Sequence, residues 1–249
     1  MGTGARPFLV LQLRPEPEAS DDEYGAFLAK GGLAEAETHR VRLEREPIPA
    51  GLDLADYAGV IVGGGPGCVS DAPAEKSPVE KRIEDAVMGL MPEVVGRDVP
   101  FLGCCYGIGI LGHFLGAPVA KGRYGEPVGA VACRVTEDGR ADPLLAGMPD
   151  RFNALVAHKE AVEALPEGCV QLVSSDPCPF QMIRHGRNVY ATQFHPEADA
   201  DGFALRMRVY AGHGYFAPDE AAGLVAAIRA VDLSAPGTIV RNFVGRYRD

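Results

Sequence analysis

The stretch VPFLGCCYGIGILGHFLGA, residues 99–117, places two adjacent cysteines on a turn between an apolar run and a helical pattern. The apolar run at 99–102 predicts a buried strand, because it is short and bounded by residues that favour turns. The spacing at 106–115 predicts a helix that begins directly after the two thiols. This strand–turn–helix order is the unit from which a parallel sheet covered by helices is built.

Cys105 is the thiol that the turn singles out. Gly103 and Gly107 stand two residues on either side of it, whereas Cys104 has no such symmetric frame. A nucleophile on a sharp turn needs small neighbours, because the backbone is strained and approached closely from both sides. The helix that begins at Tyr106 points its free N–H groups at this thiol, so we expect the pKa of Cys105 to be lowered. We expect Cys104 to face the other side of the sheet and to pack as a small apolar residue.

The rest of the chain extends the same pattern. Before residue 120, further strands are predicted at 8–13, 38–43 and 58–62 and further helices at 21–30 and 76–95. From about residue 125 the chain reads mainly as strands, at 127–135, 152–157, 170–174, 180–183 and 189–193. Helices return at 203–210, 219–231 and 238–247. We therefore predict a three-layer α/β sandwich around a central, mostly parallel mixed sheet with antiparallel additions. We expect one domain over 1–249.

Composition excludes several classes of protein. The 249 residues are 47% hydrophobic, which allows a substantial core, and carry a formal net charge of −10. That charge repels nucleic acids and anionic membranes, so we expect neither as a partner. The N-terminal residues lack the pattern of a signal peptide, and a cytoplasmic location is expected. The six cysteines are scattered and form no C-x-x-C pair, so we expect reduced thiols and no metal site.

A base for the thiol is available at the end of another predicted strand. The strand at 189–193 leads into F-H-P-E, where His195 and Glu197 stand two residues apart. In an extended segment such residues face the same side, so the carboxylate can accept from one ring nitrogen while the other faces a sulfur. The glycine loop at 63–67 offers bare backbone N–H groups for a developing oxyanion, together with the N–H of Tyr106.

Three segments together resemble the class I, triad-type glutamine amidotransferases. They are Gly64-Gly65-Pro66, the G-C-C-Y-G turn, and Q-F-H-P-E at 193–197, in the order typical of that family. The resemblance covers about residues 8–198, which we expect to form the catalytic part, with a helical segment at about 199–249. It implies a flavodoxin-like amidotransferase fold, and catalysis without metal or organic cofactor.

The same resemblance assigns roles to individual residues. It makes Cys105 the nucleophile, His195 the general base and acid, and Glu197 the group that orients the imidazole. Gly64 and Tyr106 become the oxyanion donors. The implied reaction is attack on the γ-amide of glutamine, release of ammonia, and hydrolysis of a glutamyl thioester by water.

The substrate pocket departs from the family at one position. Four residues after the nucleophile the family usually carries glutamine, and this chain has Gly109. Either another group holds the substrate, or the pocket accepts something other than free glutamine. The residues that the resemblance places around the substrate are Gly65, Gly109, Arg123, Tyr124 and His158.

Two alternatives to a free-standing glutaminase stay open. One is a hydrolase of γ-glutamyl peptides or conjugates with the same triad, for which a pocket widened at Gly109 is suitable. The other is a glutaminase-type subunit that is active only with a separate synthetase that accepts ammonia, since the sequence contains no G-x-x-x-x-G-K-[ST] loop of its own.

Overall fold

A nine-stranded mixed sheet forms the centre of the protein. The computed structural model describes residues 5–211, 216–217 and 219–248. The strands are β1 (Phe8–Gln12), β2 (Thr38–Arg42), β3 (Gly59–Val62), β4 (Phe101–Cys104), β5 (Val119–Val135), β6 (Arg151–Val162), β7 (Cys169–Ser175), β8 (Met182–His185) and β9 (Val189–Thr192). Their order across the sheet is β2-β1-β3-β4-β9-β8-β7-β5-β6.

Parallel and antiparallel pairing divide this sheet into two halves. Strands β2, β1, β3, β4 and β9 run parallel to one another, whereas β9, β8, β7, β5 and β6 are paired antiparallel. The predicted mixed sheet is confirmed. The parallel half brings the carboxyl ends of β3, β4 and β9 to one edge, where ligands bind in open α/β sheets.

Helices cover both faces of the sheet. They are α1 (Pro17–Gly31), α2 (Pro78–Gly96), α3 (Tyr106–Phe114), the short α4 (Glu137–Ala141), α5 (Ala200–Val209), α6 (Ala221–Arg229) and α7 (Gly237–Tyr247). The start of α2 is fixed by a capping box, in which Ser77 accepts from the N–H of Glu80 and the Glu80 side chain accepts from the N–H of Ser77. Within the described residues, none of these helices is long and apolar enough to cross a bilayer.

The alternation of side chains along β1 shows how the three layers are held together. Phe8 and Val10 pack on one face with the side chains of α1 and α7, and Leu9 and Leu11 pack on the other face with α2 and α3. Each large apolar side chain buried in this way contributes about 1.5–3 kcal/mol to folding. Cys104 is fully buried in the first of these clusters, which confirms its predicted packing role.

One strand is much longer than predicted. β5 begins at Val119, whereas the sequence pattern placed its start at Pro127. Its first half is polar and partly exposed, and its pairing with β6 is irregular between Lys121 and Gly129. This segment contains glycines and a proline, which are uncommon inside strands, so the sequence pattern did not predict a strand there.

Candidate active site

Cys105 lies on a strained turn between β4 and α3. It has φ 54° and ψ −90°, a backbone conformation that residues other than glycine rarely adopt. Its N–H donates to the carbonyl of Thr192 at 2.7 Å, which fixes the turn to the end of β9. A Cβ on Gly103 would lie 3.0 Å from the Cα of Gly107, so the turn closes this tightly only with glycine at position 103. This is the geometry of a nucleophile elbow.

Neighbouring strands bring His195 to the same end of the sheet. β9 lies parallel to β4, and the chain turns after it, where the Thr192 hydroxyl donates to the carbonyl of Phe194 at 2.9 Å. The N–H of His195 donates to the carbonyl of Leu155 at 3.0 Å, which ties this segment to β6. His195 and Cys105 then line one cavity.

Glu197 and Arg206 hold the His195 imidazole in place. Nδ1 of His195 lies 2.9 Å from Oε1 of Glu197, and Nη1 of Arg206 donates to the same oxygen at 2.7 Å. A carboxylate only accepts, so Nδ1 carries the proton and Nε2 is left as the basic nitrogen. All three side chains are buried. Arg206 lies on α5, and the sequence pattern gave no signal for it.

The surroundings set the protonation states of this pair. Burial lowers the pKa of His195 below its usual value, with further lowering by Arg206 and Arg14, although Glu197 acts in the opposite direction. For Glu197, burial acts to raise the pKa, but His195 and Arg206 together hold it well below its usual range. A neutral imidazole beside an ionised carboxylate is the state that a general base requires.

The pKa of the Cys105 thiol is shifted in the direction opposite to the one predicted. We expected the N-terminus of α3 to lower its pKa, but burial raises the pKa of Cys105 to about 12, against the effect of Arg14 and together with that of Glu197. The side chain is only 8% exposed, so its thiolate loses most of its hydration. Cys105 is therefore protonated in the resting site, and its proton has to leave when the sulfur attacks.

In the glycine loop after β3, the backbone N–H of Gly64 is not free to bind an oxyanion as predicted. Its N–H donates to Oε1 of Glu23 at 3.1 Å, so this expected oxyanion donor is already occupied. Glu23 is fully buried and also accepts from Nε of Arg14 at 2.8 Å. A Cβ on Gly64 would lie 2.7 Å from Cε1 of His195, which shows how closely the loop approaches the imidazole. Gly65, which lines the cavity beside Cys105, has no acceptor for its N–H among the described residues.

Within the described part of the chain, one cluster has the composition of a metal site. Glu23, His195 and Glu197 each place one ligand atom within 4.8 Å of the others. Both carboxylates are already paired, Glu23 with Arg14 and Glu197 with Arg206, at 2.8 and 2.7 Å. The two guanidinium groups therefore compensate the charge that would attract a cation.

Glu160 occupies the space beside Gly109. A Cβ on Gly109 would lie 2.9 Å from Oε1 of Glu160, so the carboxylate fills the region that a side chain at 109 would enter. Oε1 accepts from the N–H of Val69 at 2.9 Å, and Oε2 accepts from the N–H and the hydroxyl of Ser70 at 2.9 and 2.6 Å. The described ion pairs do not include Glu160.

The other expected substrate residues lie in different surroundings. Nδ1 of His158 donates to the carbonyl of Glu160 at 2.9 Å and Nε2 contacts Glu126 at 2.8 Å, so both ring nitrogens are engaged. The geometry therefore supports a structural role for His158 rather than a direct contact with substrate. Arg123 is exposed and stacks on Tyr124 at 4.8 Å, and neither side chain lines a described cavity that contains Cys105.

Two cavities meet at Cys105. The polar cavity is lined by Cys105, Gly109, His158, Lys159, Glu160 and Gln193. The apolar cavity, which is partly open to solvent, is lined by Cys105, His195, Val128, Phe203, Met207 and Phe216. Phe203, Arg206 and Met207 follow residue 198, so the site extends into the segment that we expected to lie outside the catalytic part.

Comparison with known proteins places the chain in a family. The profile of the family "Glutamine amidotransferase class-I" matches residues 29–207. The glutamine-hydrolyzing GMP synthase of Thermosipho melanesiensis is 34% identical over 152 residues, covering 59% of this chain and 26% of that protein. That of Streptococcus equi subsp. zooepidemicus is 32% identical over 183 residues, covering 70% and 31%. The chain thus spans less than a third of the length of these relatives.

Solved structures show the same fold. A glutamine amidotransferase from Thermotoga maritima superposes with a TM-score of 0.76 at 19% identity, covering 97% of this chain and 98% of that one. A second, from Methylobacillus flagellatus, gives 0.74 at 20% identity, covering 98% and 94%. The predicted amidotransferase fold is confirmed. The chain belongs to the class I glutamine amidotransferase family.

Proposed function

We propose that this protein hydrolyses the γ-amide of glutamine, with Cys105 as nucleophile, His195 as general base and acid, and Glu197 as the orienting carboxylate. One observation carries the proposal. A thiol on a strained elbow lines the same cavity as a buried imidazole whose Nδ1 is held at 2.9 Å by a carboxylate. Nucleophile, base and orienting group are the three parts that covalent acyl transfer needs.

The protonation states define the first step. Nε2 of His195 takes the thiol proton as the Cys105 sulfur attacks the amide carbon, because the resting thiol is protonated. The C–N bond then breaks, and His195 returns the proton to the nitrogen, which leaves as ammonia. Water adds to the glutamyl thioester, gives a proton to His195, and the C–S bond breaks to release glutamate and restore the thiol.

The N–H groups of Gly65 and Tyr106 are the oxyanion donors in this mechanism. Gly65 replaces Gly64, whose N–H is occupied by Glu23. Tyr106 is the first residue of α3, where backbone N–H groups have no partner within the helix. Both residues line the polar cavity beside Cys105. A donor of this kind contributes about 2.7–4 kcal/mol to the stability of a tetrahedral intermediate.

We further propose that Glu160 binds the α-ammonium group of the substrate. Oε1 has one donor, the N–H of Val69, and a carboxylate oxygen accepts two, so it has room for another. The same atom faces the space beside Gly109 in the polar cavity. An anion here takes over the holding role that the missing side chain at 109 cannot perform.

We also propose that the released ammonia is used by a synthetase. The relatives named glutamine-hydrolyzing GMP synthase are three to four times as long as the matched region, which covers 26–31% of them. This supports a synthetase, in the same or a separate chain, as consumer of the ammonia. Full glutaminase activity of the purified chain would contradict dependence on such a partner, whereas activity that appears only with the partner would support it.

The test is labelling and turnover together. Wild type should hydrolyse glutamine and be alkylated by 6-diazo-5-oxonorleucine at Cys105, as located by peptide mass spectrometry. Cys105→Ala should abolish both, while Cys104→Ala, which removes the neighbouring buried thiol, should keep both at a comparable Tm. Equal loss from both substitutions, or a label on another cysteine, would contradict the proposal.

A further inference from the structure

Two neighbouring carboxylates of α1, Asp22 and Glu23, each pair with an arginine that lines the cavity beside Cys105. Oε1 of Glu23 lies 2.8 Å from Nε of Arg14, and Oδ2 of Asp22 lies 3.6 Å from Nε of Arg206. The proposed mechanism gives Arg206 no step of its own, although this side chain lies against the triad. Its place in the structure therefore needs a separate explanation.

The guanidinium of Arg206 determines which oxygen of Glu197 receives the imidazole. Nη1 of Arg206 and Nδ1 of His195 both donate to Oε1 of Glu197, at 2.7 and 2.9 Å. Oε2 of Glu197 is buried and has no hydrogen-bond partner among the described residues. One oxygen therefore accepts both of the hydrogen bonds that hold this carboxylate. Without Arg206, only the bond to the imidazole would remain, and the carboxylate could turn about its last bond.

Asp22 holds Arg206 through another nitrogen of the same planar group. A Cβ on Gly202 would lie 2.9 Å from Oδ2 of Asp22, so the Asp22 side chain packs directly against α5, one helical turn before Arg206. Arg206 is only 4% exposed, so its charge needs partners. Asp22 supplies one at Nε and Glu197 supplies one at Nη1, which fixes the orientation of the guanidinium.

We propose that Arg206 is a positioning residue for the hydrolysis of glutamine, which acts through Glu197 to keep Nε2 of His195 directed at the Cys105 sulfur. This role rests on the proposed function, because it belongs to the same triad. The charge of Arg206 acts in the opposite direction, since it lowers the pKa of His195 and so weakens the base. Loss of the charge alone would therefore speed proton transfer from the thiol, whereas loss of the position slows it.

The first measurement is the effect of Arg206→Met on the hydrolysis of glutamine by the purified protein. We expect kcat to fall about 10- to 100-fold, because misplacement of a catalytic group by about 1 Å has an effect of this size. KM should change little, because Arg206 does not line the polar cavity that holds Glu160. Arg208→Met, at an exposed position of the same helix, is the matched control. An unchanged or higher kcat in Arg206→Met would overturn the inference.

A double-mutant cycle tests whether Arg206 acts through Glu197. On the Glu197→Gln background, Arg206→Met should lower kcat less than about threefold, since the group that it positions is already gone. The double variant should keep the fold, because both charges of a buried pair are removed together. If Arg206→Met alone fails to fold, as judged by Tm, Arg206→Lys replaces it, since lysine keeps the charge but not the planar fork. Equal factors on the two backgrounds would contradict a role through Glu197.

A spectroscopic measurement does not require turnover. The ¹⁵N shifts of the two ring nitrogens of His195, assigned by comparison with His195→Asn, report which nitrogen carries the proton. Wild type and Arg208→Met should carry it on Nδ1, and Arg206→Met should show a mixture of the two forms. A wild-type signal in Arg206→Met would overturn the inference even if the protein hydrolyses glutamine. A mixed signal in a protein whose wild type leaves glutamine intact would refute the proposed function and leave the positioning role of Arg206 in place.

Discussion

Gly64 donates its backbone N–H to Oε1 of Glu23 at 3.1 Å, which joins the glycine loop to the first helix of the fold. The carboxylate is completely buried and is paired with Arg14, whose Nη2 lies close to the same glycine. The loop beside the nucleophile is therefore held in place by a side chain that is fully buried behind it.

Replacement of Glu23 is expected to destabilise the protein strongly. Glu23→Ala leaves the buried Arg14 without its partner, and loss of one member of a buried pair costs about 3–5 kcal/mol. Urea denaturation followed by circular dichroism measures this as a lower midpoint. Glu18→Ala removes a carboxylate from an exposed position of α1 and is the control. A loss no larger than that of Glu18→Ala would show that Glu23 does not hold the loop.

We expect the rate of glutamine hydrolysis to fall at acidic pH and to show no fall near neutral pH. The pKa of His195 is lowered from 6.5 by burial, so the imidazole is still neutral at pH 6.5 and takes up a proton, losing its activity as a base, only at a lower pH. Burial raises the pKa of Cys105 to about 12, so the thiol proton is retained well into the alkaline range. A kcat/KM profile should therefore rise with a midpoint below 6.5 and stay level through neutral pH.

Alkylation of the free enzyme tests the same two pKa values by another route. The rate of reaction of Cys105 with iodoacetamide should keep rising with pH through about pH 10, because only the thiolate reacts. A rate that is already constant at pH 7 would indicate a preformed thiolate–imidazolium pair and contradict the protonated resting thiol.

Stability is expected to fall on acidification. His195 has a lowered pKa in the folded state, so below 6.5 the unfolded chain binds the proton more readily and folding loses stability. Glu197 also has a folded pKa held below its usual 4.5, so its contribution is present above that value and is lost as pH falls. The urea midpoint should therefore drop between about pH 6.5 and pH 4. A midpoint that rises over this range would contradict both directions.

Glu160→Gln is expected to weaken glutamine binding selectively. The amide keeps the shape of the carboxylate but not its charge, so KM for glutamine should rise about 10- to 100-fold. KM for glutaric acid monoamide, which lacks the α-ammonium group, should change little. Glu167→Gln, at an exposed position, is the control. Equal losses on both substrates would mean that Glu160 only holds the loop at Val69 and Ser70.

Gly109→Ala tests the same contact from the other side. The added methyl group would lie 2.9 Å from Oε1 of Glu160, so the carboxylate has to move, and KM for glutamine should rise. Gly89→Ala places a methyl group in open space on another helix and is the matched substitution. Wild-type kinetics in Gly109→Ala would show that Glu160 adjusts freely and does not fix the substrate.

The elbow and its partners were predictable because their chemistry is local. G-C-C-Y-G between an apolar run and a helical pattern identified the turn at Cys105, and the two-residue spacing of His195 and Glu197 predicted the hydrogen bond now seen at 2.9 Å. The alternation of strand residues also predicted that Cys104 packs in the core.

The errors arose where distant segments meet. Nothing in the loop sequence shows that Glu23 reaches Gly64 from a helix 41 residues earlier, or that Arg206 reaches Glu197 from the helix that follows. The prediction of a lowered pKa for Cys105 was wrong for a similar reason. The N-terminus of a helix can be predicted from the sequence, but the burial that raises this pKa depends on distant segments.

The left-handed backbone at Cys105, with φ 54°, has a consequence for how this protein can change over time. Holding a residue with a β-carbon in such a conformation costs about 1–3 kcal/mol, and glycine would relieve that strain. A population selected only for robustness would drift toward glycine at this position and lose its sulfur. Persistence of the cysteine in a lineage is thus a mark of selection for chemistry.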